Sequence, residues 1–146
     1  MKIAVGADHG GFELKEAVKA HLIEKGYEIV DFGTDSTASV DYAPIAEKVG
    51  EYVVKEKILG ILCCGTGIGI SIAANKVKGV RAACCSDYFS AKMTRAHNDA
   101  NILCMGGRVV GAGLAIELAD IFLDTPFEGG ERHVRRISQI TAIENK

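Results

Sequence analysis

The chain has 146 residues, 48% hydrophobic, only 6% aromatic and 25% charged, with a formal net charge of −2. That length suffices for one domain, residues 1–146, with an aliphatic core. The charge balance offers no basic excess to nucleic acid, and no apolar run reaches the roughly 18 residues of a membrane span.

Lys2–Val5 is a short apolar strand ended by Gly6. One lysine and a four-residue apolar run are too little for a signal sequence, so the stretch reads as strand. Asp8, His9, Gly10 and Gly11 form a polar turn. Phe12–Lys25 has helical periodicity, with Phe12, Ala17, Val18 and Leu22 on the apolar side and Lys15 among the polar residues. His21 has no polar company in the sequence and reads as structural. Gly26 stops this helix and Glu28–Phe32 is the second strand, which together suggest a parallel βαβ unit. A polar loop, Gly33–Asp41, precedes a helix that runs to about Lys55, with Pro44 suited to its first position.

Leu59–Asn75 carries the strongest signal. Ile61–Cys64 is a buried strand, Gly65–Gly69 a glycine-rich turn, and Ser71–Lys76 a helix. Glycines let the backbone present N–H groups inward, and a helix N-terminus adds partial positive charge, so this is the form of an anion site. Cys64 ends the strand beside it, placed to act as base or nucleophile. The alternative is a tight turn with an inert buried cysteine. The glycines do not make a dinucleotide fingerprint, because position 70 is Ile70.

Val80–Cys85 and Ile102–Met105 complete five strands, with helices at about Ser90–His97, Gly113–Leu123 and Glu131–Ile143. Alternating strands and helices predict an α/β fold: a three-layer α/β/α sandwich on a five-stranded parallel, Rossmann-like sheet. Ligands in such sheets bind at the carboxyl ends of the strands. Asp8–His9, Cys64–Gly69, Asp87 and Gly106–Arg108 all follow strand ends, so chemistry is expected on that rim.

His97, closing the helix after the fourth strand, is a candidate acid–base group or a plain dipole partner. Arg132 and Arg136 share one helix face and are spaced for one phosphate, or form a solvated basic face. The five cysteines, 63, 64, 84, 85 and 104, have no C-x-x-C spacing. Neighbours on a strand point to opposite faces, so they make poor chelates, and the reading is reduced thiols in a cytoplasmic protein.

GADHGGF, DFGT, VDY, CGTGIGISIAANK, HNDAN, GGRVVG and EGGERHVRR follow one another along the chain. Together they closely resemble the ribose/galactose isomerase family, in its type B ribose-5-phosphate isomerase branch. The resemblance implies interconversion of ribose 5-phosphate and ribulose 5-phosphate without metal or organic cofactor, and a strand order similar to 2-1-3-5-4. It also implies a homodimer or homotetramer whose active sites are shared between subunits. Carried onto this chain, Cys64 is the base that moves a proton between C1 and C2. Thr66 and the N–H groups of Gly65, Gly67, Ile68 and Gly69 hold the enediolate. His97 opens the sugar ring with Asp8 assisting, and Asn98 and Tyr42 contact the sugar. His9, Arg108, Arg132 and Arg136 bind the phosphate. His97, Asn98 and the arginines, Arg108, Arg132 and Arg136, serve the neighbouring subunit's site. One departure is Glu131, which stands between Gly130 and Arg132 where the family runs from Gly-Gly to Arg-His. Alternatives are an allose-6-phosphate or galactose-6-phosphate isomerase, a non-catalytic nucleotide-binding module and a thiol redox protein.

Overall fold

The computed structural model describes residues 1–146. The elements are β1 (Lys2–Ala7), α1 (Phe12–Glu24), β2 (Glu28–Asp31), α2 (Tyr42–Glu56), β3 (Leu59–Cys64) and α3 (Ile68–Ala74). They continue with β4 (Ala82–Cys84), α4 (Tyr88–Asn98), β5 (Ile102–Gly106), α5 (Ala112–Asp124) and α6 (Glu131–Glu144). All strand pairs are parallel, in the order β2-β1-β3-β5-β4. β4 is shorter than the sequence pattern suggests, and Pro44 is the third residue of α2, still in the first turn where a missing N–H costs nothing.

Side-chain alternation along the strands sorts the core into two layers. Ile3, Val5, Ile61, Cys63, Leu103 and Met105 pack with Leu14, Val18, Leu22, Leu118 and Phe122 of α1 and α5. Ala4, Leu62, Cys64, Ile102 and Cys104 pack on the other face with Val49 and Val53 of α2 and Ile70 of α3. The neighbours Cys63 and Cys64 thus point into opposite layers, as their adjacency requires. On the second face α2 sits close to the sheet. A β-carbon on Gly6 would lie 2.9 Å from the Ile45 side chain, and one on Gly60 2.8 Å from that of Val53.

The Gly26 stop is a full Schellman turn: the Gly26 N–H donates to the Ile23 carbonyl and the Tyr27 N–H to that of Leu22. The face of α1 differs from the periodicity reading. Leu14, Lys15, Val18 and Leu22 are buried, and Lys15 is only 2% exposed. Its ammonium donates to both Asp31 oxygens at 3.0 Å and to the Thr34 carbonyl. A lysine can be buried when its donors are met, and here they tie α1 to the end of β2. His21 likewise has a partner: its Nε2 lies 2.9 Å from an Asp120 oxygen, which joins α1 to α5.

Burial works to raise the Asp31 carboxyl's pKa, but bonds from Lys19, the Gly33 N–H and Lys15 outweigh it and hold the pKa below its usual value. The stability this gives is therefore complete above the ordinary carboxylate range and lost as pH falls through the lowered value. Lys15→Ala should cost about 2–3 kcal/mol at neutral pH in urea unfolding. That is below the roughly 3–5 of a fully buried broken pair, because Lys19 remains. The difference from the parent chain should narrow as Asp31 is protonated in acid.

Candidate active site

The strand order sets the carboxyl ends of β1, β3 and β5 side by side, about 4.8 Å apart from strand to strand. Ala7 is level with Cys63, and Cys64 with Gly106. The turns that follow these strands therefore form one rim.

At its centre is Cys64, 4% exposed. The Gly67 N–H donates to its Sγ at 3.1 Å. That bond is stronger to a thiolate than to a thiol. Gly67 has φ +80, and a β-carbon there would lie 2.8 Å from the Met105 carbonyl carbon and 3.0 Å from Cys84 Sγ, so only glycine fits. The Ile68 N–H donates to Thr66 Oγ1 at 3.2 Å. Two of the turn's donors are thus used internally, whereas the N–H groups of Gly65, Thr66 and Gly69 donate to no group of the chain.

Asp8 is buried, and its Oδ1 accepts from the N–H groups of Gly10 and Gly11 at 2.9 and 3.1 Å. Its second oxygen has no partner in the chain yet is not sealed from solvent. The Val40 N–H donates to His9 Nδ1 at 3.2 Å. A backbone N–H can only donate, so neutral His9 carries its proton on Nε2 and offers it outward as a donor. The Arg108 guanidinium lies alongside Gly65, with Nη1 3.3 Å from where a β-carbon would stand. The Tyr42 ring covers Gly69, where a β-carbon would lie 2.7 Å from Tyr42 Cζ.

His97, Asn98, Arg132 and Arg136 are not on this rim, whereas Arg108, which the resemblance grouped with them, lies on it beside Gly65. α4 starts at the carboxyl end of β4 and runs back for 11 residues, about 16 Å. Its last turn is fixed at the opposite end of the sheet, where Arg81, just before β4, donates to the Asn98 and Asp99 carbonyls at 3.0 and 2.9 Å. Arg95 grips the Asp99 carboxylate at 2.7 Å. Asp99 itself takes the left-handed cap, φ 46.

α6 begins beside this turn, because the Glu128 N–H donates to the Ala96 carbonyl at 3.0 Å. The rings of His97 and His133 stack, with centroids 4.3 Å apart and planes 12° from parallel. Glu128 lies 3.8 Å from His97 Nε2 and 3.4 Å from His133 Nε2. Arg132 Nε is 3.5 Å from His133 Nε2. Burial, then the neighbouring His97 and Arg132, push the His133 pKa down, against the pull of Glu128. Arg81 and Arg95 hold carboxylates, whereas Arg108, Arg132 and Arg136 pair with none. These three guanidiniums are available to an anion.

Three residues escape a sequence reading. Glu128 and His133 become neighbours of His97 only in three dimensions. Cys84 is exposed, with Sγ 3.7 Å from the Thr66 carbonyl. Burial raises the pKa of Cys84, takes Cys85 to about 11 and Cys63 to about 12, and raises Cys104 well above the ordinary thiol value.

A parallel α/β sheet with a thiol seated on a glycine turn, free amide donors and the unpaired Arg108 on one rim defines a class: α/β proteins with a site for a small anion beside a thiol. The ribose/galactose isomerase family model matches residues 3–140. Ribose-5-phosphate isomerase B of Escherichia coli K12 is 50% identical over 146 residues, covering 99% of this chain and 97% of that protein. The Clostridium thermocellum ribose-5-phosphate isomerase B structure superposes with a TM-score of 0.96 at 51% identity, covering 99% and 98% of the two chains. The Mycoplasma genitalium enzyme with bound ribulose-5-phosphate superposes at 0.94 with 42% identity, covering 99% and 97%. The chain belongs to the ribose/galactose isomerase family.

Gly67→Ala should destabilise the fold by about 1–3 kcal/mol, the cost of a forced left-handed residue, and more if the Met105 contact cannot relax. Thermal unfolding measures it. An unchanged melting temperature would show that the turn is not seated as described.

Proposed function

We propose that the chain is a ribose-5-phosphate isomerase, working in the cytoplasm as one domain on a free sugar phosphate. The observation that carries this reading is Cys64 Sγ at hydrogen-bond distance from Gly67 N–H, inside a turn with unused amide donors. Family membership and the ribulose-5-phosphate bound to the Mycoplasma genitalium relative support it. Five free cysteines suit a reducing compartment. No helix is long and apolar enough to cross a membrane.

The chemistry asks for two acid–base sites. The substrate is mostly a ring, so His97 moves the proton that opens it, with the free oxygen of Asp8 on the ring hydroxyls. Cys64 then takes the C2 proton of the open aldose and returns it to C1, while a hydroxyl proton passes from O2 to O1. The charge that develops on oxygen between these steps meets Thr66 and the N–H groups of Gly65 and Gly69. Fixed donors do this without reorganising, and one such donor can matter by about 3 kcal/mol. Gly67 and Ile68 act at one remove, holding the thiol and the Thr66 hydroxyl. His9 and Arg108 bind the phosphate from one side, Arg132 and Arg136 from the other. Tyr42 and Asn98 border the sugar.

These roles need both ends of the sheet at one substrate. A single chain holds them apart by about the length of α4. Two copies related by a twofold axis can set the His97 end of one against the Cys64 end of the other, twice over. A homodimer is therefore the smallest active unit in this reading, and a tetramer a pair of them.

Cys64→Ala should abolish turnover of ribose 5-phosphate in a coupled assay. Retained turnover would remove Cys64 as the base. Replacing Arg132 or Arg136 by Ala should act mainly on KM, since the phosphate is bound and not transformed; an unchanged KM would take the phosphate away from that helix.

A further inference from the structure

His97, Glu128 and His133 come from three separate places: the last turn of α4, the loop after α5 and the first turn of α6. One ligand atom from each lies within 4.8 Å of the other two. Points so spaced all fall within about 2.8 Å of a common centre, whereas zinc binds imidazole nitrogen at about 2.0–2.1 Å and carboxylate oxygen at about 2.0–2.2 Å. Side-chain shifts below an ångström close that gap once the partly exposed His97 ring turns out of its stack on His133, since rings 12° from parallel aim their lone pairs side by side and not at one ion. Two imidazoles and one carboxylate also make a recognised zinc donor set, with a fourth position left open.

We propose that His97, Glu128 and His133 form an inhibitory site for a divalent transition-metal ion such as zinc, whose occupancy takes the His97 lone pair that ring opening needs. The inhibition rests on the isomerase reading; the metal binding does not. The ion is a regulator or poison here and supplies no chemistry.

Access and selectivity follow from the same residues. Glu128 is 53% exposed and His97 36%, while His133 is 7% exposed and forms the floor. A cleft that admits a sugar phosphate to His97 also admits an ion. Imidazole ligands favour zinc, copper and nickel over magnesium and calcium, so the last two should not inhibit. Arg132, 3.5 Å from His133 Nε2, opposes a second positive charge and sets a modest affinity.

Cobalt(II) titration of the purified protein tests the site by its absorption, and zinc inhibition of the isomerase, reversed by EDTA, tests its consequence. Weak visible ligand-field bands without the intense near-ultraviolet sulfur-to-cobalt band are expected, and they should persist in Cys84→Ser and Cys64→Ala. Glu128→Gln should weaken binding by at least about tenfold, the scale on which even a supporting partner of a ligand acts. Because Glu128 is exposed, this variant tests the site without disturbing the core; His133→Gln should act the same way. A sulfur band, or binding indifferent to Glu128→Gln, overturns the site. The nitrogen–oxygen signature without inhibition upholds the site and counts against His97 as the ring-opening group.

Discussion

One hydrogen bond organises the thiol end of this molecule: Gly67 N–H to Cys64 Sγ. It exists because the β3–α3 turn is pressed against β5 with no room for a side chain at Gly67. Beyond it, the Gly107 N–H donates to the Cys64 carbonyl and the Arg108 N–H to that of Gly65, so the turns after β3 and β5 are knitted together. Those bonds set a sulfur, free amide donors and a guanidinium on one rim. A catalyst that stabilises a developing oxyanion needs such donors fixed in advance.

The second constraint is direction. In a parallel sheet a helix that follows one strand must return to the start of the next, so its two ends lie on opposite rims. α4 obeys this and takes His97 and Asn98 away from Cys64. The Arg81–Asp99–Arg95 network then holds that end firmly, with the stacked His133 and the N-terminus of α6 beside it. In the homodimer proposed above, each copy would lend its far end to the other's thiol, and the unpaired Arg132 and Arg136 would go with it.

The fold is largely legible because β1 and β3, buried on both faces, read as continuous apolar runs, and glycines mark the turns; the five strands lie where the apolar runs are. Their order came only with the family resemblance, and the structure has it. What the pattern missed, it missed for a physical reason. Lys15 reads as surface because a lysine's partners are invisible to periodicity, and Asp31 and Thr34 lie 16 and 19 residues away. Phe12 and Ala17 yield to Leu14 because Lys15 turns that face inward. Of the candidate site, Cys64 and its turn were readable from local sequence, since strand, glycines and helix are contiguous. The separation of His97 from them was implicit in helix length and direction. Glu128 and His133 were not readable, because stacking against His97 joins segments about 30 residues apart.

The central claim is that each working site takes its thiol from one copy and its histidine from another. Mixing two inactive variants, Cys64→Ala and His97→Asn, under conditions that let subunits exchange measures this directly. If sites are shared, half the dimers are mixed, each with one intact site, and activity should return to about a quarter of that of the unmutated protein. A mixture no more active than its parts would contradict the account.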